Sequence, residues 1–553
     1  MSLIRPGRSA RSRGRSSFSD RDDCIFAAKP PLTPGVRTAT SERSMKRSHV
    51  LALYAVMSLG LITQCARPPV QTITILHHND FHSAVLPDTS VHDGNTYVNL
   101  GAAGLKGLAD AVEDTAHPSI WLNAGDEYSG GVLSTLTQGG SQFRLARKIG
   151  YDVVVLGNHE FDYGLERAAA FRDSAGVPVL GGANLVQADG SPFALTHLDT
   201  SIGGVQMRII GLLPPDLEEL TGRSKLNDLQ ILDPADAVRK HLPGKKRLAV
   251  VLSHMGYTQD TLLAAQVPEI DLIVGGHSHS TLERPRLFGQ QGRLPDSTLT
   301  LDDLKRLPGT VITQAGGKGR YLGVLTLKVQ GGEILVADGT LLPNDGSRAA
   351  ADVELLAEVN RLDARYAPML DKQIATLEAP LRRKWDAESP LGRWIADAYR
   401  KAANADIGMH NNGGIRANLE GPSISIRDIW QVAPFGNELV VFDLTGAQLE
   451  QIAAHWAKSD GMPMQVSGLS MTIDSKSGIF ASLEVNGRPV QADQSYKVVT
   501  NSYVFEQADS YFGIEAHHFD PYMTGMVDRD VLVNNAREQG TIRKPTDTRI
   551  TMR

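Results

Sequence analysis

The chain has 553 residues and a formal net charge of -6. That length gives room for several domains with ample cores, and the acidic balance offers no electrostatic case for a nucleic-acid partner. Its only cysteines, Cys24 and Cys65, precede the globular part, which excludes a disulfide framework and thiolate metal sites from the folded domains.

Residues 1–44 are rich in Arg, Ser and Pro and read as a disordered extension or an over-long gene start. Met45-Lys46-Arg47 opens a second beginning, followed by an apolar stretch over 50–62. A positive start before a short apolar run is a secretory signal pattern, and the run is too short to span a bilayer comfortably. Leu61-Ile62-Thr63-Gln64-Cys65 resembles a bacterial lipoprotein processing site, although Gln64 replaces the small residue favoured before the cysteine. Residues 45–66 are therefore expected to be a signal peptide. The protein is expected to be periplasmic, or held through a lipidated Cys65 on the outer side of the cytoplasmic membrane.

From 70 to 345, strand-like runs alternate with helical stretches such as 105–116 and 139–149, the pattern of a parallel α/β domain. Five runs end at metal-type ligands. Residues 72–76 precede Asp80 and His82, 119–122 precede Asp126, and 153–156 precede Asn158. Residues 248–252 precede His254, and 270–274 precede His277 and His279. Parallel folds place ligand sites at the carboxyl ends of strands. Asp80 and His82 alternate with Phe81, and His277 and His279 with Ser278, so each pair shares one side of an extended backbone. A converging all-N/O set of this size suits two divalent metals, which point to hydrolysis of a phosphate-type ester.

Pro343 to Ser347 form a break. Leu355, Val359, Leu362 and Tyr366 then recur at helical spacing, and 346–378 is expected to be a connector. A second domain is expected over 379–553, with a helix near 391–403 and strands near 439–444 and 497–500.

The stretches Ile75-Leu-His-His-Asn-Asp-Phe-His82, Asn123-Ala-Gly-Asp126, Gly157-Asn-His-Glu-Phe-Asp-Tyr-Gly164, Ser253-His-Met-Gly256 and Gly275-Gly-His-Ser-His279 together resemble the calcineurin-like metallophosphoesterases. More narrowly, they resemble the secreted 5′-nucleotidase and UDP-sugar hydrolase family, and the likeness continues through the second domain. The resemblance implies a four-layer α/β/β/α sandwich over 70–345 and a second α/β, nucleotide-binding domain. It implies one metal on Asp80, His82, Asp126 and His279, and another on Asp126, Asn158, His254 and His277. Some relatives carry Gln where this chain has His279. Zn, Mn, Mg and Co all suit such ligands. A metal-bound hydroxide would attack phosphorus, with His159 stabilising charge and protonating the leaving oxygen and Asp162 orienting its imidazole.

The second domain would read the nucleoside. Asn411-Asn-Gly-Gly-Ile-Arg416 matches the family's Gly-rich turn, with Asn411 on the base and Arg416 on phosphate or ribose oxygens. Phe435 in Pro434-Phe435-Gly436-Asn437, and Tyr503 in the segment running to Asp509 and Tyr511, would sandwich the base. Tyr503 stands where relatives usually have Phe, and Gln507-Ala508 where they usually have Gly-Gly. Arg382, Arg383 and Arg393 are candidates for further phosphate contacts. The expected substrate is a 5′-nucleotide, with no protein partner predicted. The rivals are a UDP-sugar, a 2′,3′-cyclic nucleotide, a thiosulfate conjugate, or a non-catalytic nucleotide-binding lipoprotein.

Overall fold

The computed structural model describes residues 68–552 apart from 93–94, 114–116, 245, 289–308, 459–463, 475–476 and 478. The extension 1–44 and the signal-type segment 45–66 with Cys65 lie outside the described residues. Among the described residues no helix is long and apolar enough to cross a membrane.

Two six-stranded sheets face each other in the first domain. One runs Glu333–Pro343, Tyr321–Gln330, Gln71–His78, Ser119–Asn123, Val153–Val155, Val179–Leu180. The other runs Arg286–Leu287, Val311–Thr313, Leu272–Gly275, Leu248–Ser253, Val205–Leu212, His197–Ile202. The strand Leu248–Ser253 is apolar almost throughout because both its faces are covered. Leu248, Val250 and Leu252 turn inward against Ile73, Ile75 and Leu122 of the facing sheet. Val251 turns outward against Val238 and Leu263, from the helices Pro234–His241 and Tyr257–Gln266. Beyond the first sheet, Leu76, Trp121 and Val154 pack on Leu105, Leu145 and Phe171 of the helices Gly101–Glu113, Gly140–Ile149 and Leu165–Ser174. The layers are thus α/β/β/α.

Strands Gln71–His78, Ser119–Asn123 and Val153–Val155 pair in parallel in one sheet, and Leu248–Ser253 pairs in parallel with Leu272–Gly275 in the other. All five ligand-bearing ends therefore emerge on one rim of the sandwich. The helix Val353–Ala364 lies in the outer layer, with Leu355 and Val359 in the same core as Leu105. The strand Gln373–Leu377 instead pairs with Ser423–Ser425 and Thr541–Ile542, so the chain has entered the second domain by then.

That domain centres on a five-stranded sheet ordered Met464–Ser467, Ile407–Asn411, Ser495–Asn501, Glu438–Thr445, Tyr522–Val527. Helix Pro390–Ala403 packs against it, started by Ser389, whose hydroxyl accepts from Gly392 N. The two domains touch beside the rim. Val132 joins the core that holds Leu377 and Val432. Thr135 Oγ1 donates to the Pro434 carbonyl at 3.1 Å, and the Arg427 guanidinium spans Asp363 at 2.7 Å and Asp371 at 2.5 Å.

Candidate active site

The rim is built from turns that bend against the ordinary backbone preference. Asp80, His82, Asp126, His277 and His279 all have positive φ, between 49° and 70°. Side-chain-bearing residues rarely adopt that region, and such strain collects at functional sites because surrounding contacts hold it there. Here the hold is partly a backbone ladder between loops, with Asp80 N bonded to Gly125 O and His82 N to Asp126 O, both at 2.9 Å.

Three groups of ligand atoms result: Asp80, His82 and His279; His82, Asp126 and His159; Asp126, His254 and His277. His254 Nδ1 lies 2.6 Å from the Ala124 carbonyl and His82 Nδ1 3.3 Å from that of Tyr128. A carbonyl only accepts, so both Nδ1 atoms carry protons, and in the neutral ring both Nε2 atoms are left with lone pairs for a metal. The His254 Nε2 atom lies 3.1 Å from Asp126 Oδ2 and makes no well-aligned hydrogen bond although fully buried. His82 Nε2 sits 2.9 Å from His279 Nε2 and 3.8 Å from Asp126 Oδ2. His277 Nδ1 lies 3.1 Å from Asn158 Oδ1. Lone pairs and carboxylate oxygens crowded in this way repel unless cations lie among them. The buried N/O donor set, with Nδ1–H groups tied to carbonyls, fits divalent metal ions. Burial opposes charge on His254, yet Asp126 and Asp80 outweigh it and lift its pKa to about 10, so a metal at Nε2 would take the place of a proton that these carboxylates otherwise favour there.

His159 extends from the short turn His159–Phe161. Its backbone N–H donates to Asp126 Oδ1 at 3.0 Å and its Nδ1 to Asp162 Oδ2 at 2.8 Å. Burial opposes protonation of His159, but Asp162 and Asp126 prevail and raise its pKa. Two partners escape the sequence reading. Ser129 Oγ donates to the same Asp162 oxygen. Glu160, fully buried, accepts from the backbone N–H groups of Asp126, Glu127, Tyr128 and Gly157 at 2.6–3.2 Å, tying two ligand loops together. Burial, reinforced by Asp126, pushes the Glu160 pKa up to about 7. Its signal in the sequence was an acidic residue lodged inside Asn158-His159-Glu160-Phe161-Asp162.

A cavity of about 670 Å³ opens from Asp126, Asn158, His159, Asp162, His277 and His279 toward Asn411, Arg416, Phe435, Asn437 and Tyr503 of the second domain. Asp80, His82 and His254 lie beneath its floor, each no more than 2% exposed. Asn411 accepts from Asn501 at 3.1 Å and donates to Tyr511 Oη at 3.3 Å. The Phe435 ring stacks on His159, centroids 5.6 Å apart and planes at 13°, with the Arg416 guanidinium 5.5 Å from its centroid. Asp509 does not reach the cavity. It is exposed on the helix Ala508–Phe512, and Tyr511 lines the wall instead, since residues two apart on a helix point to different faces. Of the three candidate arginines, Arg383 lines the cavity. Arg382 pairs with Glu420 at the surface, and Arg393 is buried against the carbonyls of Pro545 and Asp547. Lys318 and Arg320 also line the wall. Burial, then Arg416, Arg383 and Arg320, bring the Lys318 pKa down to about 7. Gly316-Gly317-Lys318-Gly319-Arg320 was their signal, cations in a stretch flexible enough to approach a ligand.

Residues 73–281 match the calcineurin-like phosphoesterase family, and residues 371–515 match the 5′-nucleotidase C-terminal domain. A 5′-nucleotidase of Vibrio cholerae is 27% identical over 543 residues, covering 87% of this chain and 95% of its own length. Protein UshA of Escherichia coli is 26% identical over 541 residues, with 88% and 95% covered. Among solved structures, a 5′-nucleotidase precursor from Thermus thermophilus superposes with a TM-score of 0.74 at 26% identity, covering 87% of this chain and 99% of that one. The sulfate thiohydrolase SoxB of Thermus thermophilus reaches 0.70 at 20% identity, covering 88% and 98%, a likeness of fold.

Proposed function

Because this chain joins a calcineurin-like phosphoesterase domain to a 5′-nucleotidase C-terminal domain and is a hydrolase of phosphoric esters, we propose that it cleaves 5′-nucleotides to nucleoside and phosphate outside the cytoplasm. The observation that carries this reading is that one cavity joins the metal-type cluster to a wall of amide, guanidinium and aromatic groups. The export part rests on the signal pattern at Met45-Lys46-Arg47 and the lipoprotein-type Cys65.

Asp80, His82, Asp126 and His279 would hold one divalent ion, and Asp126, Asn158, His254 and His277 the other. When bound, two such ions supply an acidified water and neutralise phosphate charge. Four imidazoles among seven ligands favour a transition metal over magnesium. Arg416, drawn toward Asp126, Asp162 and Asp80, offers a fork of donors to phosphate oxygens. His159, held in one tautomer by Asp162, delivers the Nε2 proton to the departing 5′ oxygen. Asn411 and Tyr503 contact the nucleoside, with Phe435 positioned to stack on the base.

The test is phosphate release from AMP and UMP, with EDTA and then with Mn or Zn restored. Release that EDTA abolishes and metal restores is expected. Metal-dependent release from a UDP-sugar or a 2′,3′-cyclic nucleotide alone would keep the cluster's chemistry and overturn the assignment of substrate.

A further inference from the structure

Gln314 directly follows strand Val311–Thr313, which pairs in parallel with the strand that delivers His277 and His279. It is 1% exposed and lies outside the cavity lining, so it meets neither substrate nor solvent. A buried amide is costly unless its polar atoms are satisfied, and here each side-chain bond goes to one loop. Nε2 donates to the Gly276 carbonyl at 2.6 Å. Oε1 accepts from Ser278 Oγ at 2.9 Å and from the Ser280 backbone N–H. The gripped residues, Gly276, Ser278 and Ser280, alternate with His277 and His279, both of which hold a left-handed backbone.

That grip matters most for His279. His254 and His82 are each turned by a carbonyl at Nδ1, from Ala124 and Tyr128. His277 has a tether of its own, a backbone N–H bonded to Asp80 Oδ1 at 3.1 Å. Among the described residues, the hydrogen bonds and ion pairs of the His279 ring go only to fellow ligands, His82 Nε2 at 2.9 Å and Asp80 Oδ1 at 3.3 Å. Its aim therefore comes from the backbone on either side, at Ser278 and Ser280. Asp80 is held from the same place. Asn79 Oδ1 accepts from Ala315 N at 2.8 Å, while Asn79 Nδ2 donates to the Gly316 carbonyl and to Asp80 Oδ2. The segment Gln314-Ala315-Gly316 thus supports two of the three ligands in the group Asp80, His82 and His279. In the group Asp126, His254 and His277, Asp126 rests on the Glu160 carboxylate and His254 on the Ala124 carbonyl.

We infer that Gln314 is a positioning residue for the ion on Asp80, His82, Asp126 and His279, that it acts through His279, and that without it this ion is lost while the other stays. The inference rests on the two-ion reading and makes the two sites unequal. Gln314 itself touches neither metal nor nucleotide. It keeps one loop in register so that His279 stays beside Asp80 and His82.

The experiment titrates Mn into the metal-free protein and records bound ions per chain, the Mn(II) EPR spectrum and circular dichroism. It uses wild type, Gln314→Met, Ser278→Ala, His279→Ala and the double variant of Gln314→Met with His279→Ala. Wild type should take two ions and show the spectrum of a spin-coupled pair. Gln314→Met, similar in length but without the hydrogen bonds, should keep one ion and hold the second ~10- to 100-fold more weakly, the scale for a lost partner of a metal ligand. Its spectrum should be that of an isolated ion. Ser278→Ala removes one of the three bonds from the exposed side and should weaken the same ion by about 3- to 10-fold. His279→Ala should match Gln314→Met, and combining the two should cost nothing further. Two ions held with unchanged affinity in Gln314→Met, or in Ser278→Ala where Gln314→Met does not fold, overturn the role of Gln314 and leave the ligand set standing. A further loss in the double variant also overturns it, because Gln314 would then act on both ions. A wild type that never takes more than one ion overturns the two-ion reading itself.

Discussion

At the scale of single residues, His159 shows how position decides role. It directly follows the ligand Asn158 and lies beside His82 and Asp126, yet its Nδ1 bonds Asp162 and its ring lines the cavity. His159→Asn should therefore retain bound metal and lower kcat by about 10²- to 10⁴-fold, the range of a lost general acid, as read by metal content beside steady-state rates. Asp528 is a second case, behind the cavity wall, where its backbone N–H donates to the Asn437 carbonyl at 2.8 Å. It is 1% exposed, accepts from Arg529 N at 2.6 Å, and burial raises its carboxyl pKa from 3.8 to about 7 despite the pull of Arg529. Between those two values the folded protein holds a proton that the unfolded chain has released. Folding stability from this group thus falls as pH rises from about 4 to 7, by up to ~1.4 kcal/mol per unit, and is flat above. Asp528→Asn removes that loss. Urea unfolding of wild type and variant should show the variant gaining relative stability from pH 5 to 7, and an unchanging difference would contradict the buried neutral carboxyl.

At the scale of elements, the five ligand-bearing strands were legible because parallel strands covered on both faces read as short apolar runs. Strand Leu248–Ser253 differs from the expected 248–252 by one residue, and Val153–Val155 from 153–156 by one. What the runs did not reveal is what holds the loops between them. Glu160 acts through backbone N–H groups, which carry no side-chain signature. Lys318 and Arg320 reach the cavity from a connection between the two sheets, from Val311–Thr313 to Tyr321–Gln330, and that proximity is tertiary. The choice of Arg383 over Arg382 likewise turns on the direction of one strand-like segment whose bridge pairs Leu381 with Leu419. Gly157 makes the packing of these loops testable. A methyl group there would meet Asp126 Oδ1 and come within 2.8 Å of His254 Nε2 and the Asp126 backbone nitrogen. Gly157→Ala should weaken metal binding at least about 10-fold, the scale for a displaced ligand environment. Its circular dichroism should remain that of the wild type. Unchanged metal affinity would mean that the Asp126 loop yields without cost.

At the scale of the whole molecule, Phe435 joins the two domains where the chemistry would occur. It belongs to the second domain but stacks on His159 of the first, with the Arg416 guanidinium beside its ring. Thr135 and Pro434 bond a few residues away, so this contact is anchored through the chain next to it. Two roles are then open to one ring: holding the base of a nucleotide, and steadying the imidazole of His159. They separate by substrate. Stacking on a base is worth roughly 1–3 kcal/mol, so Phe435→Ala should lower kcat/KM for AMP by about 10- to 100-fold. Glycerol 2-phosphate has no ring to stack, and its loss should be several-fold smaller. Equal losses on both would assign Phe435 to His159 instead of to the base. The domain contact would then serve the cleaved phosphate, leaving Tyr503 and Asn411 as the groups of the second domain that meet the nucleoside.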